Sequence, residues 1–161
     1  MKQVLSIIFI GLLSLIVSGQ TESEKPPTKI IFSPGLIYQG QFLGELNLMF
    51  SKLEIETGGS VIWGPRIGLE TGYSQDKFLI APKIGYEFSG LLICLRGNAL
   101  VYIQDKKSDY RLLPEIGISL GGAMNLCYGY NFHIYNDKIE NIGTNRISLT
   151  INLDLDLWKN L

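Results

Sequence analysis

The sequence predicts an all-β fold, a single closed antiparallel up-and-down transmembrane β-barrel of eight strands. Three observations indicate it. Side-chain polarity alternates with a period of two residues from Lys29 onward, as in strands whose two faces meet different environments. A short motif recurs at strand-like intervals. After the N-terminal region, no apolar run approaches the roughly 18 residues of a transmembrane helix.

The alternation is clearest in residues 78–88. One parity is apolar throughout, while the other carries charged, small or aliphatic residues. The apolar parity consists of Phe78, Ile80, Pro82, Ile84, Tyr86 and Phe88, and the opposite parity of Leu79, Ala81, Lys83, Gly85 and Glu87. Segments 65–73, 91–103, 110–121, 124–134 and 146–157 behave alike. This pattern predicts a two-faced sheet.

An internal repeat supports the strand count. Segments 64–70, 81–87 and 113–119 share the order Pro, charge, Ile, Gly, apolar residue. Prolines 34, 65, 82 and 114 are 31, 17 and 32 residues apart, near multiples of about 16, one strand plus its connection. The predicted strands are 30–39, 42–53, 61–73, 77–88, 91–103, 109–121, 123–135 and 145–157. A single long strand over 33–52 is the alternative to the first two, and 54–60 is predicted as a loop.

The N-terminal region has the features of a secretory signal peptide. Lys2 precedes an apolar run over 4–17, which ends in small residues. We therefore expect a signal peptide over 1–19, a flexible polar lead over 20–28 and the β-barrel domain over 29–161. Cleavage before Gln20 would leave 13 basic and 15 acidic residues of the 14 and 15 in the chain. With no basic patch, nucleic acid is not an expected partner.

The same strands fit two orientations, with the apolar parity facing lipid or facing a ligand inside a soluble barrel. Three features favour lipid. The polar parity is rich in glycine, which suits a narrow lumen. Its positive and negative charges balance. The aromatic residues of the apolar parity lie near strand ends, as interfacial girdles do; they are Tyr73, Phe78, Phe88, Tyr110 and Phe132, with Trp63 near the start of its predicted strand and Trp158 just after the last one.

Two sequence segments resemble those of a known family. Residues 128–131, Tyr-Gly-Tyr-Asn, precede a loop, and 146–153, Arg-Ile-Ser-Leu-Thr-Ile-Asn-Leu, form the predicted closing strand. With the strand pattern, they resemble the small eight-strand outer-membrane barrels of Gram-negative bacteria, of the outer membrane protein A and X type. The resemblance implies a place in the cell outer membrane after export, with outer-membrane lipids and the barrel assembly machinery as partners.

The charged residues of the inner parity are predicted to form an ion-pair network that plugs the lumen. An eight-strand barrel has an interior just wide enough for its own side chains, so a plug is expected rather than a conduit. The predicted network comprises Glu45, Arg66, Glu70, Lys83, Glu87, Arg96, Arg111, Glu115, Arg146 and Asp154.

The sequence points to a structural role, or to contacts through surface loops, of which 136–144 is the longest. The alternatives are a periplasmic soluble barrel that binds an apolar ligand, a narrow pore, and an outer-membrane lipid-modifying enzyme. The enzyme would use His133 with Ser119 or Ser148, but no spacing motif supports it, so catalysis is not expected. No phosphate-binding glycine loop, CxxC or metal-ligand spacing occurs, and no cofactor is expected.

The two cysteines, Cys94 and Cys127, fall on predicted strands five and seven, with strand six between them. At about 4.8 Å per strand, their Cα atoms would lie roughly 10 Å apart, beyond the reach of a disulfide. We expect free thiols inside the lumen.

Overall fold

The computed structural model describes residues 28–56, 59–74, 77–136, 138–140 and 142–159. The predicted signal peptide and residues 20–27 of the predicted lead lie outside the described residues. Residue 28 already belongs to the first strand.

The described chain forms a closed antiparallel barrel, as the alternation predicts. Each wall position pairs with the next along the chain, and the last strand pairs with the first, with Gly35 opposite Thr150 and Tyr38 opposite Ile147. The wall has eight positions, and the seventh is occupied by two short strands that both pair with the strand in the sixth. The strands are β1 (Thr28–Tyr38), β2 (Phe42–Glu56), β3 (Gly59–Ser74), β4 (Lys77–Gly90), β5 (Ile93–Gln104), β6 (Lys107–Leu120), β7 (Met124–Tyr130), β8 (Phe132–Asn136) and β9 (Asn145–Ile151).

The seventh wall position differs from the single predicted strand 123–135. Asn131 separates β7 from β8, and its backbone N–H donates to the carbonyl of Thr144 at 2.7 Å, next to the last β7–β9 pair. A bulge also shifts the β6–β8 register between Tyr110 and Arg111. The bulge re-aims the side chains of β8 at the end of the barrel.

The predicted closing strand, 145–157, is too long. β9 ends at Ile151, and a short helix α1 (Leu155–Lys159) follows. Asp154 caps this helix, since its Oδ1 accepts from the N–H groups of Asp156 at 2.9 Å and Leu157 at 3.3 Å. Burial of Leu157 in the barrel end stabilises this turn. Five residues are too few for a helical period to be visible in the sequence.

The connections from β1 to β2 and from β2 to β3 are both short. β1 and β2 are separate strands that meet at the pair Tyr38–Phe42, so the single long strand over 33–52 is wrong. The predicted loop over 54–60 is also wrong, because β2 and β3 stay paired as far as Glu56 and Gly59. We call the end where β1 stops and β2 begins the loop end, and the end where β1 begins and β9 stops the terminal end.

The two parities of the wall face opposite sides. Ile84 and Ile116 are 61% and 60% exposed on the outside, while the adjacent Lys83 and Glu115 are 6% and 5% exposed and point inward. The barrel therefore has an apolar exterior and a charged interior, the inverse of a water-soluble barrel that holds an apolar ligand.

Among the described residues, no helix has the length and apolar character needed to cross a bilayer.

Candidate functional site: a sealed charged lumen

The centre of the lumen holds two cations shared among three carboxylates. The Lys83 ammonium contacts Glu45 and lies 3.0 Å from Glu70. The Arg146 guanidinium lies 2.8 Å from Glu70 and 3.4 Å from both Glu45 and Glu115. All these side chains are at most 1% exposed. Each carboxylate is thus compensated by a cation, as burial of charge requires.

A second group surrounds Glu87. Arg66 and Arg96 both form ion pairs with this carboxylate, Arg96 at 2.8 Å. The Ser89 hydroxyl donates to it at 2.8 Å and the Asn125 amide at 3.0 Å. Glu87 therefore has two cations and two neutral donors, a complete environment for a buried carboxylate.

Strand register arranges these groups in a row of alternating sign around the barrel. Glu87 on β4 pairs with Arg96 on β5, which pairs with Glu115 on β6. Glu115 then pairs with Gly129, and Gly129 with Arg146 on β9. A Cβ at Gly129 would lie 2.7 Å from Cγ of Glu115, so this position must be glycine for Glu115 and Arg146 to meet.

One pair in the register is unfavourable by itself. Glu45 on β2 lies directly opposite Glu70 on β3, and like charges in facing positions are destabilising. Lys83 and Arg146 bridge both carboxylates and offset this repulsion. Four positive and four negative side chains balance in the two groups together. They are Glu45, Arg66, Glu70, Lys83, Glu87, Arg96, Glu115 and Arg146.

The two remaining predicted network residues lie elsewhere. Arg111 is buried near the loop end and forms a bidentate pair with Asp109, at 3.1 and 2.6 Å. Asp154 lies at the terminal end, where it caps α1 and sits 3.4 Å from Lys29. Lys29 also contacts Asp156 and lowers the pKa of that carboxyl. Asp154 was placed in the lumen only because β9 was predicted to extend beyond Ile151.

An apolar layer closes the loop end of the lumen. Ile139 and Ile142 come from the β8–β9 loop and are 2% and 4% exposed inside the barrel mouth. Asp109 accepts from the N–H of Ile139 at 3.0 Å, and Arg111 donates to the carbonyl of Ile142 at 3.3 Å. The residues of this layer are Ile37, Leu43, Leu79, Ala81, Leu100, Tyr102, Leu113, Ile139 and Ile142.

A second apolar layer closes the terminal end. Leu157 of α1 turns into the barrel and is fully buried there. It packs with residues from β1, β2, β3 and the β6–β7 turn, namely Ile31, Met49, Leu53, Ile62 and Ala123. The charged centre therefore lies between two apolar layers and is sealed from both ends among the described residues.

The sequence analysis did not identify Asp109, nor the two elements that close the barrel ends, the β8–β9 loop and α1. Asp109 had a usable signal, because it shares inward parity with Arg111 two positions later. The burial of Ile139 and Ile142 could not be predicted from periodicity, because side chains in a loop do not alternate between two faces as they do in a strand.

The three residues considered for catalysis do not converge. Arg111 lies opposite His133, and Ser119 lies eight residues further along β6, or about 26 Å away. Ser148 lies opposite Cys127, six residues before His133 and about 20 Å from it. The His133 ring contacts Asp109 at 2.8 Å, and the Ser148 hydroxyl donates to Glu115 at 2.9 Å. No nucleophile–base pair is formed by these residues.

Both cysteines are buried as free thiols. Gly117 on β6 lies between them in the register, paired with Cys94 on one side and Cys127 on the other. With one strand between them, their Cα atoms lie about 10 Å apart, beyond disulfide distance.

We expect both thiols to react after the protein is unfolded without reductant. Iodoacetamide added to the denatured chain should give the mass increase of two alkylations, whereas the folded barrel should resist because both thiols are buried. Prior reduction is the control and should change nothing. A doubly alkylated product that appears only after reduction would contradict the strand order.

Aromatic side chains mark the loop end of the exterior. Each of three strand pairs places two rings in contact there: Tyr38–Phe42 at 5.1 Å, Tyr73–Phe78 at 5.9 Å and Tyr110–Tyr135 at 6.3 Å between centroids. Toward the terminal end lie Phe50, Trp63, Phe88 and Trp158.

The distance between the two aromatic levels follows from strand geometry. Ten residue steps separate Phe78 from Phe88 on β4. At about 3.3 Å per residue and a tilt of about 40°, they span about 25 Å along the barrel axis. The exterior between them is the apolar parity of the wall.

The fold and the lumen together define the class of this molecule: a closed eight-strand antiparallel β-barrel with an apolar exterior and a sealed, charge-balanced interior. Comparison with protein-family models, with curated proteins and with solved structures finds no match to this chain.

Proposed function

We propose that this protein is an integral outer-membrane β-barrel that serves as a structural or surface-exposed element, with any specific contact made by its loop end. One observation carries the proposal: the wall exposes its apolar parity and encloses its charges. A soluble protein would leave this surface in contact with water, whereas hydrocarbon would cover it without cost.

The dimensions of the exterior support the same conclusion. The apolar band of transmembrane barrels is about 25 Å tall and flanked by aromatic girdles. The distance from Phe78 to Phe88 matches that height, and the aromatic pairs mark its loop-side border. Pairing of β1 with β9 closes the ladder, and closure is the arrangement that a β-sheet in hydrocarbon requires.

The interior favours a structural role over transport or ligand storage. A ligand-binding barrel of the soluble kind would have an apolar lumen, and a pore would have an open one. The described lumen is neither apolar nor open, because ion pairs fill its centre and apolar layers close both ends. The loop end, with the β8–β9 loop, is the surface left for contacts.

Membrane fractionation tests the proposal. In cells, the mature chain should sediment with the outer membrane, resist carbonate extraction and need detergent for solubility. The folded barrel should also migrate differently on a gel before and after boiling. Recovery of the folded, mature chain in the detergent-free soluble fraction would overturn the proposal in favour of a soluble barrel.

The sealed lumen predicts that the protein forms no pore. We expect no conductance steps above the bare-membrane baseline when the barrel is inserted into planar bilayers, because both apolar layers would have to open for ions to pass. Protein that is confirmed as inserted by protease protection is the control. Stable single-channel steps would contradict the sealed interior.

A further inference from the structure

A groove runs along the outside of the barrel over β5. Its floor is formed by two small outward-facing residues, Gly97 and Ala99. Its walls come from the neighbouring strands. Gly97 lies between Tyr86 of β4 and Pro114 of β6. Ala99 lies between Ile84 and Leu112 in the same way. The groove is a concave, almost wholly apolar surface.

The groove has real depth and length. A Cβ built on Gly97 has no heavy atom within 4 Å, so the space above the floor is open. The groove extends from Leu95 to Val101, six residue steps or about 20 Å along the strand. This shape matches an extended hydrocarbon chain lying along the wall.

The turn above this groove carries excess positive charge. Strands β5 and β6 are joined at the loop end by Asp105 and Lys106, and Lys107 is the first residue of β6. Asp105 pairs with Lys77 at 2.8 Å, and a polar pocket joins these four residues to Glu140. Beyond the Lys77–Asp105 ion pair, this pocket is lined by two lysines, Lys106 and Lys107, and one carboxylate, Glu140.

The other turns of the loop end lack this excess. The turn over 39–41 is uncharged, the turn over 75–76 holds one acidic residue, and the loop over 137–144 holds two acidic residues and one lysine. The positive turn therefore lies on the same two strands as the groove, which pairs an acyl-chain surface with an anion-binding surface.

We propose that the groove over β5 holds one lipid, with an acyl chain on Gly97 and Ala99 and a net-anionic phosphorylated headgroup at Lys106 and Lys107. This inference rests on the proposed function, because it needs the exterior to lie in a bilayer. A cation at the membrane surface attracts anionic lipid, and the groove adds selectivity by fitting one chain.

Native mass spectrometry of the mature barrel tests this site with defined lipids. The barrel, folded in non-ionic detergent micelles, is mixed with dimyristoyl phosphatidylglycerol or with dimyristoyl phosphatidylcholine, which have the same chains. We expect one phosphatidylglycerol per barrel, retained at least tenfold better than phosphatidylcholine at equal activation energy.

Filling the groove separates this site from the rest of the apolar exterior. Gly97→Leu should lower retention of both lipids at least tenfold, and Ala99→Leu serves as a second variant if the first does not fold. Gly44→Leu is the matched control, because Gly44 on β2 also faces outward with only one atom near its added Cβ, at 3.9 Å. It should retain lipid like the unmodified chain.

The headgroup is tested by charge reversal. Lys106→Glu with Lys107→Glu should reduce phosphatidylglycerol retention to the phosphatidylcholine level, while Lys52→Glu, an exposed site nearer the terminal end, should not. Equal retention by Gly97→Leu and Gly44→Leu, or no preference for the anionic lipid, would overturn the site. Such results in a barrel that still fractionates with membranes leave the proposed function standing, whereas a soluble barrel overturns both.

Discussion

Replacement of Arg146 by methionine is expected to destabilise the barrel by about 3–5 kcal/mol, the cost of leaving buried charges without a partner. Arg146 lies within 3.4 Å of the carboxylates of Glu45, Glu70 and Glu115. Its loss leaves Lys83 as the one remaining cation of this group. Urea unfolding of the barrel in detergent micelles, followed by the fluorescence of Trp63 and Trp158, measures the change.

A surface ion pair provides the matched control. Lys77 pairs with Asp105 at 2.8 Å, but both side chains are more than half exposed. Lys77→Met should change the free energy of unfolding by less than about 1 kcal/mol, because water screens exposed pairs. If Arg146→Met and Lys77→Met shift the unfolding midpoint equally, the lumen network does not stabilise the fold.

A compensating substitution tests the network as well as the single residue. Glu70 is the carboxylate nearest to Arg146, at 2.8 Å. Arg146→Met combined with Glu70→Gln removes one charge of each sign, so part of the lost stability should return. Such recovery is a coupling between contacting residues, and a purely additive loss would contradict direct pairing.

The sequence was sufficient for the wall of the barrel because each strand repeats one rule many times. Ile84, Lys83 and Gly85 obey a period of two whatever their neighbours are. The two-faced strands and their sequence along the wall therefore follow from local pattern, whereas closure depends on the pairing of β1 with β9. The motif around Pro65, Pro82 and Pro114 added a repeat that set the number of strands.

The ends of the barrel were not accessible to the same reasoning. Leu157 continues the alternation of β9 in sequence, yet it belongs to a helix that turns inward. The bulge between Tyr110 and Arg111 depends on the pairing of β6 with β8, and the burial of Ile139 depends on its contact with Asp109. These are single tertiary interactions, and periodicity carries no information about them.

Substitution of an outward residue by arginine at the middle of the apolar exterior is expected to distinguish a membrane barrel from a soluble one. Ile67 on β3 lies about midway between Trp63 and Tyr73 and is 45% exposed on the outside. In a bilayer, Ile67→Arg should cost about 2–4 kcal/mol, because the guanidinium would sit near the midplane of the hydrocarbon. In water, the same exposed arginine would cost almost nothing.

The control places the same change near the border of the band. Ile103 on β5 is outward and lies close to the loop end, where arginine can reach the headgroups. Ile103→Arg should therefore cost about 0–1 kcal/mol. Reversible unfolding in phospholipid vesicles measures both variants. A smaller loss for Ile67→Arg than for Ile103→Arg would place the hydrocarbon elsewhere, and equal small losses would remove the membrane from the proposal.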